Sequence, residues 1–147
     1  MNYDSIRSYN PEELQDVYSR LLAEPMFQQM AGFVLPNVPL QVIESEMRSC
    51  KTNLAFQKKF CYSFLANLLE KASDGMNIDF NSLDVQKRYT FISNHRDIVL
   101  DSAFLSKVLI DAGFSTTCEI AIGDNLLAWP WVEDLVRTIK AFIVRRG

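Results

Sequence analysis

The sequence predicts an α/β protein: a helical N-terminal region over residues 1–74, then the first half of a mixed, partly parallel sheet with its helices over residues 75–147. Three observations carry this reading. Apolar residues in the first half recur at the 3, 4, 7, 8 spacing of one buried helical face, as at Leu14, Val17, Tyr18, Leu21 and Leu22. After Ser73–Asn77, "SDGMN", short alternation and β-branched or aromatic runs replace that period. From there the order is strand, helix, strand, helix, strand, which belongs to an α/β layer with a parallel component.

Taken in order, Asn10 before Pro11, with Glu12 and Glu13 in the first turn, marks a helix start with a capping box. A second helix covers Met26 to Val34 and stops at "LPNVP", where Pro36 and Pro39 remove donors. A third runs from Val42 to Cys50, and the longest from Thr52 to Lys71, with Phe56, Phe60, Phe64 and Leu68 as a packing stripe. Strands are expected at Ile78–Phe80 and Tyr89–Ser93, then a helix from Ile98 to Ala112 ending at Gly113. A strand at Ser115–Ala121, a helix at Trp131–Lys140 and a strand at Ala141–Val144 complete the order. The chain stops on "FIVRRG" directly after that last strand, so the sheet looks unfinished and the domain truncated at its C-terminus.

Composition excludes several classes. Fifteen basic against 18 acidic residues give a net charge of −3 without long runs of one sign, which argues against nucleic acid as a partner. Cys50, Cys61 and Cys118 fit neither a disulfide framework nor a zinc spacing and read as reduced core thiols of a cytoplasmic protein; no metal is expected. The N-terminus lacks a signal-peptide pattern, and no segment reaches the ~20 apolar residues of a membrane span, leaving only peripheral membrane contact.

The only histidine, His95, stands in "SNHRDIVLD" at the carboxyl end of an expected strand, where open α/β sheets bind ligands. With an acid on its second nitrogen a neutral imidazole takes a proton from an alcohol; the same residues also suit a structural histidine beside a turn. Asp97 and Asp101 are both within reach in sequence.

"SNHRDIVLD" and the later "KAFIVRR" resemble the glycerolipid acyltransferase family, which makes lysophosphatidic and phosphatidic acid from acyl-CoA or acyl-carrier-protein thioesters. The family's first motif is N-H-x4-D, a general base and the aspartate that orients it. Asn94 and His95 match it directly, with Arg96 in the supporting turn. His95 to Asp101 is H-x5-D, one residue longer, and the apolar continuation "LDSAFL" favours Asp101 with a bulged turn over Asp97, a natural helix N-cap. The second motif is a glycine, an apolar strand and arginine; Arg145 and Arg146 match the arginines that hold the substrate phosphate, and Lys140 stands where the glycine is expected. "IGDNLLAWPW" resembles a third segment through Leu126 and Pro130, although Gly123 and Asn125 depart from it. The family's later phosphate-binding loop is absent from this sequence.

The resemblance implies acyl transfer to a hydroxyl of glycerol-3-phosphate or lysophosphatidate in phospholipid biosynthesis, with acyl-CoA or acyl-carrier protein as co-substrate and no other cofactor. The alternative is a non-catalytic fragment or a lipid- or acyl-carrier-binding module of the same fold. Arg137, Lys140, Arg145 and Arg146 form a basic cluster suited to an acidic carrier, and Trp129 and Trp131 suit an acyl chain, headgroups or core packing.

Overall fold

The computed structural model describes residues 3–94, 96–97 and 99–146. They form an α/β arrangement of helices with a two-stranded parallel sheet. The chain divides into two compact units, Met1–Lys59 with Glu119–Gly147, and Phe60–Cys118.

In the first unit, a 3-10 turn at Pro11–Glu13 leads into α1, Leu14–Ala23. The capping box forms as the sequence predicts, with the Asn10 N–H donating to Glu13 Oε2 at 2.7 Å. The Arg7 guanidinium also grips Glu13, which holds its carboxyl below the usual range. α2, Pro25–Val34, and α3, Leu40–Ser49, pack on α1. Their shared core contains Leu14, Val17, Tyr18, Leu21, Phe27, Ile43 and Met47, all buried. Side chains of this size contribute roughly 1.5–3 kcal/mol each on full burial, so this three-helix contact is the unit's main apolar reserve.

Between α2 and α3, Pro36 and Pro39 stop the helix as predicted, and Asn37 takes the left-handed conformation between them at φ 68°. Short polar side chains tolerate that region best. α4, Asn53–Phe56, is capped by Thr52 Oγ1, which accepts from the Ala55 N–H at 3.1 Å. The helix continues as a π-turn, Gln57–Tyr62. Each π-turn adds a residue per turn, so the predicted four-residue stripe slips out of register: Phe56 and Leu65 are buried while Phe64 is exposed.

The sheet is a β–α–β unit within this first unit. β1, Ile120–Gly123, pairs in parallel with β2, Ala141–Val144, and α7, Pro130–Thr138, joins them. The strand expected at Ser115–Ala121 starts later, because β1 extends only where β2 offers ladder partners, from Ile120 opposite Ala141 to Gly123 opposite Val144. α7 starts at Pro130 and stops at Thr138, two residues before the predicted end. Lys140 turns the chain with φ 72°. A left-handed backbone carries a Cβ clash that glycine avoids. Lys140→Gly is therefore expected to stabilise the fold by about 0.5–1 kcal/mol, the relief of the left-handed backbone less the extra freedom glycine gives the unfolded chain. A melting temperature that fell instead would mean the lysine side chain outweighs its backbone strain.

The second unit contains α5, Ser63–Ala72, and α6, Leu100–Asp111, which pack together around Leu65, Val108 and Leu109. Asp111 accepts from Tyr62 Oη and Lys107 Nζ, each at 2.6 Å. Burial disfavours the Asp111 carboxylate, but these bonds outweigh it and hold the carboxyl below its ordinary value.

The strands expected at Ile78–Phe80 and Tyr89–Ser93 do not form among the described residues. In the first, Asp79 accepts from the Asn81 N–H, so a side chain draws the backbone into a turn instead of a ladder. In the second, Tyr89 packs edge-on against Phe114, ring centroids 6.3 Å apart, while Ile92 is 94% exposed. Without a neighbouring strand the β-prone residues form no ladder. Gly113 ends α6 with φ 87°, as predicted.

Candidate active site

Two parts of the chain carry the candidate residues, one in each unit. In the second unit, the turn before α6 is organised by its two aspartates. Asp97 Oδ1 accepts the backbone N–H groups of Val99 at 2.9 Å and Leu100 at 2.7 Å. Those are first-turn donors that have no partner inside the helix, so Asp97 does what the sequence expects of a helix cap. Asp101, in the first turn of α6, reaches back: its Oδ2 accepts the N–H groups of Arg96 at 2.7 Å and Asp97 at 2.9 Å. Hydrogen bonds from backbone N–H groups to a charged carboxylate are stronger than those between neutral groups.

The turn therefore holds Asp101 against the peptide of the residue that follows His95. His95 itself lies outside the described residues, as does Ile98. Asn94, Arg96 and Asp97 are exposed. The turn is reached from an irregular segment rather than from the carboxyl end of a strand, which corrects the expected setting of the motif.

In the first unit, Arg145 and Arg146 leave the carboxyl end of β2 and are exposed. Arg145 Nη2 donates to Ser5 Oγ at 3.3 Å. The Arg146 N–H faces the Asp124 carboxylate at 3.3 and 3.4 Å. A Cβ on the neighbouring Gly123 would crowd Asn125 Oδ1 at 2.6 Å and would make only ordinary contact, at 3.5 Å, with the Arg146 Nε. Both arginines thus stand at the carboxyl edge of parallel strands, the edge that open α/β sheets use for ligands.

The basic cluster needs correction. Arg137 is buried, 6% exposed, and its guanidinium is committed. Nη2 donates to Asp4 O at 2.6 Å, Nε to Arg7 O at 2.8 Å and Nη1 to Glu133 Oε1 at 3.0 Å. It also lies 4.1 Å from the Tyr9 ring centroid. No docking surface for a carrier can include it. Next to it Asp134 accepts from Arg20 through both oxygens, at 2.7 and 2.9 Å, and from Tyr9 Oη at 2.6 Å. Burial, reinforced by that bond to Asp134, pushes the Tyr9 phenol up to about 12.

Trp131 packs edge-on against Phe27, centroids 6.4 Å apart, while Trp129 is 51% exposed. The three cysteines are free of disulfides, with Cys50 buried and Cys61 and Cys118 half-buried; desolvation pushes the Cys61 thiol up to about 12. Among the described residues no three His, Cys, Asp or Glu side chains gather as a metal site, and no helix is long and apolar enough to cross a membrane.

Sequence reasoning missed Ser5, because a lone serine in an irregular segment carries no motif. It also missed the commitment of Arg137. The available signal was the spacing of Asp134, Arg137 and Thr138, a polar face on α7 at helical period, and all three are buried.

These features define an α/β protein whose helix-capping turn and parallel-strand edge carry the charged residues. The chain belongs to the acyltransferase family: the family model described as Acyltransferase matches residues 68–147, which include both the turn and the arginines. No curated protein and no solved structure matches it. Membership supports acyl transfer as its general chemistry.

Proposed function

We propose that the protein moves a fatty acyl group from an acyl-CoA or acyl-carrier-protein thioester to a hydroxyl of glycerol-3-phosphate or lysophosphatidate, a step of phospholipid biosynthesis. The observation that carries this is the acyltransferase match spanning both "SNHRDIVLD" and "KAFIVRR". His95 removes the hydroxyl proton as the oxygen attacks the thioester carbonyl. The tetrahedral intermediate then collapses, the C–S bond breaks, and the imidazolium returns the proton to the leaving thiolate. Asp101 orients the imidazole and stabilises its charged form.

Arg145 and Arg146 receive the acceptor phosphate, for which paired guanidinium donors are well suited. Lys140 supports this reading from the backbone. Where the resemblance expects a glycine, Lys140 takes the left-handed conformation between α7 and β2 that glycine adopts most readily. Asn94 and Arg96 frame the turn. The co-substrate is the thioester itself, and contact with lipid is peripheral.

The H-x5-D spacing favours a second reading, a non-catalytic module that binds lipid or carrier without turnover. Steady-state assays with both thioester types and both acceptors separate the two. Arg145→Ala is expected to raise the KM for the acceptor about tenfold, the loss of one charged hydrogen bond, with the donor KM unchanged. An unchanged acceptor KM would remove Arg145 from the phosphate site, and binding of either substrate without turnover would establish the second reading.

A further inference from the structure

The family match begins at residue 68, yet the outer edge of β2 is met by residues from the start of the chain. Ile143 donates its N–H to Ile6 O at 2.7 Å, and Tyr9 donates its N–H to Arg137 O at 3.2 Å. The buried Arg137 guanidinium takes the carbonyls of Asp4 and Arg7, on either side of Ile6. Four backbone bonds within six residues leave residues 4–9 little freedom to shift along β2.

Ser5 falls inside that clamp. Its side chain is exposed, and its Oγ accepts from Arg145 Nη2 at 3.3 Å. A hydroxyl that accepts from a guanidinium retains its own proton for another acceptor. The carboxyl edge of β2 therefore presents an O–H from one end of the chain beside N–H groups from the other.

We infer that Ser5 is an anion-binding residue of this edge: its hydroxyl donates to the phosphate that Arg145 receives, and the N-terminal segment completes the acceptor site. This rests on the assignment of Arg145 and Arg146 to the phosphate. The ligand class is a phosphomonoester carrying a free hydroxyl.

Calorimetric titration of the 147-residue chain with glycerol 3-phosphate, and with glycerol as the uncharged control, tests it. Glycerol 3-phosphate binds and glycerol does not; Ser5→Ala weakens binding about tenfold, as loss of one hydrogen bond to a charged group does. Ser5→Thr, which retains the hydroxyl, restores binding, and both variants melt with the parent because the side chain is exposed. If Arg145→Ala weakens binding but Ser5→Ala does not, the inference fails while the phosphate site stands. Weakening that Ser5→Thr does not rescue, or that accompanies a lower melting temperature, assigns Ser5 to structure and also overturns it. No phosphate-dependent binding, or binding indifferent to Arg145→Ala, overturns the phosphate site and Ser5 together.

Discussion

Replacing His95 with alanine is expected to lower acyl transfer by about 10²–10⁴-fold, the range that a positioned base supplies, without lowering the melting temperature. The acceptor hydroxyl is a poor nucleophile until its proton leaves, and His95 is the chain's only imidazole. Among side chains only histidine, with an ordinary pKa near 6.5, takes and returns a proton near neutral pH without a large environmental shift. Turnover within about threefold of the parent, far below that catalytic range, would end the general-base assignment.

The paired aspartates sharpen this test. Asp97 and Asp101 each hold backbone N–H groups of the turn, and an asparagine at either position retains a carbonyl oxygen able to accept them. The Asn variants therefore preserve the turn and remove only the charge. If Asp101 stabilises the imidazolium, Asp101→Asn costs more turnover than Asp97→Asn, whose loss is confined to a weaker interaction with the N-terminus of α6. The reverse order would place the orienting carboxylate at Asp97 and make Asp101 the residue that pins the turn.

Much of the fold was legible because its signals are local. The capping box at Asn10–Glu13, the prolines around Asn37 and the glycine after α6 each act within a few residues, and each appears where the sequence puts it. The strands expected at Ile78–Phe80 and Tyr89–Ser93 failed for the opposite reason. Strand propensity records how a residue fits a pleated, half-buried surface, and the surface comes from a neighbour that propensity cannot name. β2 shows the contrast: Ala141–Val144 found β1 and became a strand. The arginines after it were legible as a pattern, but the company they keep was not. Ser5 lies 140 residues from Arg145 in sequence, and no local period connects them.

The largest expected effect on stability belongs to Arg137. Its guanidinium joins α7 to the carbonyls of Asp4 and Arg7, pairs with Glu133 on the same helix, and lies over Tyr9, in a setting that is almost fully buried. Arg137→Met retains an apolar stem and removes every donor, leaving two carbonyls without that partner. Breaking a buried charged network of this kind costs about 3–5 kcal/mol. For a chain of this length that corresponds to a melting temperature lower by about 6–20 °C. Asp134 retains Arg20, so the loss is of the clamp on residues 4–9 rather than of α7. Amide exchange separates the two: the Ile143 N–H, bonded to Ile6 O, should exchange faster in Arg137→Met, while the N–H groups along α7 remain protected. Loss of the clamp also carries Ser5 away from Arg145, so binding of glycerol 3-phosphate should weaken even though Arg137 touches no ligand. A melting temperature within about 2 °C of the parent, less than 1 kcal/mol at this size, would show instead that the backbone bonds of Ile143 and Tyr9 hold the segment alone.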